Sequence, residues 1–233
     1  MNFLQLCQKT AKLSGTVNSD GLPAAVTGQT QLRLIRIVDY TALAYTDIQN
    51  IHAEWRWLQG ELPAATALTV SGTARYLPAT WNIDSRFAEW IAGQDTMSIY
   101  LTATGESNEN TLRFICWDEY RAKYLRGSQT NNRPIEYAIS PANEFCLGPI
   151  PDAVYTIRGP YRKSPQTLAV NADTPEMPAR YQDMIWRKAL MLLHAYDESA
   201  FAVASHEIQY LADLENLERD QLPVIEIRAM ALA

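Results

Sequence analysis

Two periods of apolar residues divide the chain. At both ends they recur every three to four positions, the spacing of one helix face, and in the middle they alternate as in a strand. Asn2–Leu13 reads as a short helix with Phe3, Cys7 and Ala11 on one face. A loop rich in Gly, Ser, Asn and Pro follows over Ser14–Gly28, with Thr27 as the N-cap of a long helix. Leu34, Val38, Ala42, Tyr45, Ile48, Ile51 and Trp55 form its stripe, and Gly60 and Pro63 end it. Near the other end, Tyr181–Pro223 reads as two amphipathic helices joined by an acidic turn. In the first, Met184, Lys188, Met191 and Ala195 share a face, with Ile185, Leu192 and Tyr196 beside it. In the second, Val203, Ile208, Leu211, Leu214 and Leu217 are the apolar stripe, and Glu207, Asp213, Glu215, Glu218 and Asp220 the outer face.

Between these ends, Ala67–Tyr76 and Thr96–Thr104 alternate and are rich in β-branched residues, so strands are expected. Ser85–Ala92 reads as one or two helical turns with Phe87, Trp90 and Ile91 inward. A turn at Gly105–Asn110 leads to a strand at Leu112–Cys116, and Asp118 caps a short helix stopped by Gly127. Pro134–Ser140, Glu144–Leu147 and Ala153–Arg162 form a hairpin series. Pro141, Pro149, Pro151, Pro160 and Pro165 cannot donate to a ladder, so these strands are short or lie at an edge. Asn171–Pro178 links back to the helical part. The expected fold class is α+β. A helical bundle is made from residues 1–60 and 176–222, an antiparallel β-rich region is inserted over 61–175, and 223–233 is an extended C-terminal arm. That arm, VIEIRAMALA, alternates at Val224, Ile225, Ile227 and Met230, and an apolar terminus of this kind reads as a docking segment.

Composition narrows the function. With 233 residues, 47% apolar and 20% charged, the chain is globular and long enough for a real core. A net charge of −6 argues against a nucleic-acid grip built on phosphate neutralisation. Cys7, Cys116 and Cys146 are far apart and form no CxxC pair, so buried or half-buried thiols in a reducing compartment are expected. The opening MNFLQLCQKTAKL lacks the features of a signal peptide, and no apolar run is long enough to span a bilayer.

Candidate chemistry is thin. His52-Ala53-Glu54 matches half of a zinc deaminase signature, but the PCxxC half is absent. Pro151-Asp152 with Tyr161-Arg162-Lys163 resembles a nuclease metal site, but Tyr161 stands where the second carboxylate belongs. His194 and His206 lack HExxH spacing, and His194 reads as a hydrogen-bonded core residue. No phosphate-cradling or nucleophile-elbow motif occurs. No catalysis, cofactor or metal is expected. Trp55, Trp57, Trp81, Trp90 and Trp117 fit either the packing seam between helices and sheet or interface anchors.

Several blocks nonetheless carry a resemblance. The opening MNFLQLCQ, then VTGQT, RLIRIVDYTALAYTDIQN and WRWL, and later RPIEYAISPANEFCLGPIPDAVYTIRGPYRKSPQTL, ADTPEMPARYQDMIWRKAL and YLADLENLERDQLP, resemble in order the head-to-tail adaptor (connector) proteins of tailed bacteriophages. The resemblance implies a structural virion protein in the neck between capsid and tail. It implies a ring of copies, usually a dodecamer, below the portal that extends the DNA channel and offers a platform to the tail. The implied partners are the chain itself, the portal protein and a downstream tail or neck protein. DNA passes without sequence-specific binding, no membrane is involved, and assembly takes place in the host cytoplasm. The arm residues Val224, Ile225, Ile227 and Met230 are the candidates for portal docking. Glu207, Asp213, Glu215 and Glu218 are candidates for the channel wall, since a dodecamer at −6 per copy carries about −72 and repels phosphate. The alternatives are another neck or tail component (stopper, terminator or tube protein), or a cytoplasmic enzyme or ligand-binding module.

Overall fold

In the computed structural model, which describes residues 1–16, 21–83 and 85–223, the chain forms two compact units. One joins Met1–Leu58 to the chain from Pro165 onward; the other is Gln59–Ser164.

The first unit is helical. Helix α1 (Phe3–Leu13) opens on a capping box, in which Asn2 and Gln5 each accept from the other's backbone N–H, and it buries Phe3, Leu6, Cys7, Thr10 and Ala11. Helix α2 (Leu32–Ile51) starts after Gln31, not Thr27, because the chain between them is bent rather than helical. It ends at Ile51, so Trp55 is buried beyond the helix rather than on it. Its buried positions are Leu34, Ile37, Thr41, Ala44, Tyr45, Ile48 and Gln49. The true stripe therefore includes polar residues that spacing alone skipped, and Thr41 is accommodated by donating to Ile37 O at 2.6 Å. Buried Gln49 pairs both ways with the backbone of Gln166, donating to its carbonyl at 2.9 Å and accepting from its N–H at 2.7 Å. Tyr45 adds a hydroxyl bond to Gln166 Oε1 at 2.9 Å. The segment expected as a linker also closes α1, because Phe3 and Leu4 N–H donate to Asp173 and Asn171 carbonyls.

Helices α4 (Asp183–Tyr196) and α5 (Ala200–Gln221) complete this unit. Helix α4 buries Met184, Ile185, Ala189, Leu190 and Leu193, while Lys188 and Met191 are half-buried and Ala195 and Tyr196 exposed. The expected face is thus rotated, because α4 is packed against α1, α2 and α5 together and its widest apolar arc turns to all three.

The second unit holds nine short strands: β1 (Gln59–Glu61), β2 (Arg75–Tyr76), β3 (Phe87–Trp90), β4 (Met97–Leu101), β5 (Asn110–Phe114), β6 (Glu136–Ile139), β7 (Phe145–Gly148), β8 (Tyr155–Arg158) and β9 (Pro160–Lys163). They make a three-stranded sheet ordered β1-β9-β3 and a six-stranded sheet ordered β2-β7-β6-β5-β4-β8, in which only β5 and β6 pair in parallel. The residues expected to form helical turns at Ser85–Ala92 are strand β3, recruited by pairing with β9. The strand expected over Ala67–Tyr76 shrinks to Arg75–Tyr76 and a single bridge at Leu68. Ala153–Arg162 divides at Gly159 between the two sheets. Helix α3 (Trp117–Tyr124) follows Cys116 as its N-cap, with Asp118 inside its first turn rather than capping it. The core of this unit is mostly aromatic: Tyr76, Trp81, Trp90, Tyr137, Phe145 and Tyr161 interlock around Met97, Ile99, Leu112 and Ile157. Helices carried by the first unit and mixed sheets by the second make the fold α+β.

Candidate assembly surface

Helix α5 has apolar residues on two sides. Tyr210 and Leu217 are buried against the bundle and Leu214 is half-buried. Lys188 from α4 lies over the Tyr210 ring at 5.5 Å. Ion pairs run along the seam. Arg187 pairs with Asp213 and Arg180 with Asp220, and His52 meets Glu218 at 2.9 Å. The opposite side is open. Ile208 is 76% exposed and Leu211 53% exposed, and Ala204 and Ala212 beside them face solvent too. Residues 204, 208, 211 and 215 follow one another at four, three and four, so they form a straight stripe. These two large apolar side chains and the flanking alanines form an open apolar patch on the outer side of the helix.

A shallow groove of about 350 Å³ lies at the start of α5, lined by Ala195, Glu198, Ser199, Val203, Ala204 and Glu207. Helix α2 contributes a second open stripe, with Leu32 70% exposed and Leu43 45% exposed, and Arg36 and Asp39 between them. Arg36 lies over the exposed Tyr196 ring at 4.1 Å. Arg33 forks onto Asp197 at 2.6 and 2.7 Å, and its guanidinium holds that carboxyl below the usual range, against the weaker push of burial.

The expected channel acids are not equivalent. Glu207 is exposed and forms no ion pair among the described residues. Glu215 is exposed and pairs with Arg219 at 2.7 Å, while Asp213 and Glu218 are half-buried in the seam pairs. Val224, Ile225, Ile227 and Met230 lie outside the described residues. The outward Ile208 and Leu211, assigned by spacing to the buried stripe, are instead its reverse side. Their angular distance from Tyr210 and Leu217 was the available signal.

Two of the three histidines depart from their expected places. His52 is the C-cap of α2, half-buried, rather than lying along the helix. His194 is half-buried and stacks on His206, rings 5.7 Å apart, instead of being a hydrogen-bonded core residue. Burial first, then His194 and Arg187, keep His206 neutral to lower pH than usual. Cys7 and Cys146 are buried, and burial pushes their thiols up to about 12 and about 11, whereas Cys116 is exposed. Among the described residues no group of three or more His, Cys, Asp or Glu could hold a metal ion, and no helix is long and apolar enough to cross a membrane.

No curated protein matches the chain. A family model described as SU10 adaptor protein matches its residues 1–227.

Proposed function

The chain belongs to the SU10 adaptor protein family, a family of bacteriophage head-to-tail adaptors, and from that membership we propose that it forms a ring below the portal, extending the DNA channel and joining capsid to tail. The family match across nearly the whole chain carries this reading. The two open stripes on α2 and α5 support it, because a ring subunit needs two separate faces for its neighbours.

The channel wall takes Glu207, the one of the four candidate acids with no ion-pair partner among the described residues. A net charge of −6 per copy suits a passage through which DNA slides without sticking. The arm residues Val224, Ile225, Ile227 and Met230 dock on the portal.

The test is native mass and negative-stain imaging of the purified chain, alone and mixed with the portal protein of its own genome. A ring, alone or stacked on the portal, is expected. A chain that stays monomeric and ignores an intact portal overturns the reading. Deleting residues 224–233 is expected to leave the melting temperature in place and abolish portal binding. Unchanged binding removes the arm from the proposal.

A further inference from the structure

We infer that the subunit contact is made by the two open helix stripes, the α2 stripe of one copy lying parallel on the α5 stripe of the next. This rests on the reading that copies of the chain self-associate, and it names the surface. The occupant of the α5 stripe is therefore a second copy of this chain.

Three observations select it. First, spacing matches. Leu32, Arg36, Asp39 and Leu43 on α2 step by four, three and four, as do Ala204, Ile208, Leu211 and Glu215 on α5. Stripes of equal period pack as knobs into holes over several turns. Leu32, the most exposed large apolar residue of α2, then enters the hole bounded by Ile208, Leu211, Ala212 and Glu215.

Second, charge order fixes the direction. Along α2 the base Arg36 precedes the acid Asp39; along α5 the acid Glu215 precedes the base Arg219. With Leu32 in its hole and the helices parallel, Arg36 faces Glu215 and Asp39 faces Arg219. An antiparallel pairing about the same hole sets Arg36 against Glu207 alone and leaves Asp39 opposite Ala204 and Ser205, one charge pair against the two of the parallel arrangement. Arg36, held over the Tyr196 ring, and Asp39 form no ion pair among the described residues, and the Glu215–Arg219 pair is solvent-exposed, so the neighbour's charges exchange partners with it at the contact.

Third, the two faces differ, and their helices already run the same way in one bundle. Arg33 at the start of α2 holds Asp197 before α5, and His52 at the end of α2 meets Glu218 near the end of α5. A heterologous contact repeated by one rotation closes into a ring, and a small rotation per subunit keeps the contacting helices near parallel. The inferred alignment is displaced by about 20 Å from the level at which the helices meet inside one bundle, so they are inclined to the ring axis.

The test uses the full-length chain. Leu32→Glu and Ile208→Glu change exposed side chains, so their melting temperatures should match that of the wild type, while association by native mass and light scattering weakens at least about tenfold. Arg36→Glu and Glu215→Arg should each weaken association, and the double variant should recover most of it, which a merely misfolded protein cannot do. Mixing a Leu32→Cys chain with an Ile208→Cys chain, both in a Cys116→Ser background, should give a bis-maleimide cross-linked dimer that neither gives alone. A wild type that assembles while both glutamate variants assemble equally well overturns this surface and leaves the ring reading standing. The same holds if Ile208→Cys cross-links to itself or the double charge variant is no better than the singles. A wild type that is monomeric in every mixture, portal included, overturns both.

Discussion

The helical unit and the β unit are held together differently. In the bundle, eleven- to twenty-two-residue helices satisfy their own backbones, and aliphatic side chains at helical spacing do most of the packing. Among the described residues of the β unit no strand exceeds five residues, and the irregular segments between strands lie outside the ladders. Aromatic side chains with a polar tip fill that gap. Trp81 Nε1 donates to Leu68 O at 3.0 Å and Trp90 Nε1 to Asn143 O at 3.0 Å, while Tyr120 OH donates to Leu147 O at 3.0 Å. Tyr137 OH donates to Gly93 O and accepts from its N–H, both at 2.9 Å. A fold made of short strands thus uses its Trp81, Trp90, Tyr120 and Tyr137 rings twice, as apolar filler and as hydrogen-bonding staples.

The contrast is broken hardest at Trp81, fully buried between Tyr76, Trp90 and Phe145. Trp81→Ala is expected to cost about 3–5 kcal/mol, read as loss of the β-unit transition in calorimetry. Leu193→Ala in the bundle, about 2–5 kcal/mol, removes filler alone. If Trp81→Phe behaves like the wild type, the staple has no energetic role.

Gly148→Ala comes next. A Cβ there overlaps the ring of Tyr124, which cannot swing away because its hydroxyl donates to Glu136 at 2.7 Å. Destabilisation of about 1–3 kcal/mol by denaturant titration is expected, and relief by Tyr124→Ala on top of it checks the cause.

Acid sharpens the comparison, since each unit has a depressed carboxylate. At Glu136 burial acts to raise the value, but Lys123 at 2.7 Å, Tyr124 and Arg113 together outweigh it and hold the carboxyl low. At Asp197 the Arg33 fork is the largest cause. In both, the folded value lies below the unfolded one, so the folded state binds fewer protons. The stability this supplies is complete above the unfolded value, near pH 4, and is lost as pH falls through the folded value. Glu136→Gln and Asp197→Asn should each lower the melting temperature at neutral pH and converge on the wild type in stronger acid. A gap that persists in acid means packing, not charge, was lost. The smallest effect is expected at Glu215→Gln, about 0.5 kcal/mol or less in the monomer because its i,i+4 pair is exposed.

The open stripes explain what was hard to read at the assembly surface. Ile208 and Leu211 carry the same letters as core residues, and spacing tells which residues share a side, not which side a neighbour covers. Of the acids marked for the channel, Asp213 and Glu218 were legible as helix positions, but Arg187 and His52, which meet them, come from 26 and 166 residues away. The exposed face of α2 is hard to read because its Leu32 and Leu43 have the same apolar character as the buried Leu34, Ile37 and Ala44 one position or more away.

By itself the sequence determined the α+β class, the inner face of α1, the presence of the helices and the family. Helical periodicity repeats over many residues, and blocks in order survive without any single reactive motif. Tertiary structure alone decided that Ser85–Ala92 contributes strand β3, that α4 turns its apolar arc to three helices, and that α5 leaves Ile208 and Leu211 in solvent. A strand of four residues has too few positions to show its period, and pairing with a segment more than seventy residues later settles its conformation. Burial likewise depends on which elements arrive beside a face, and no local pattern encodes that.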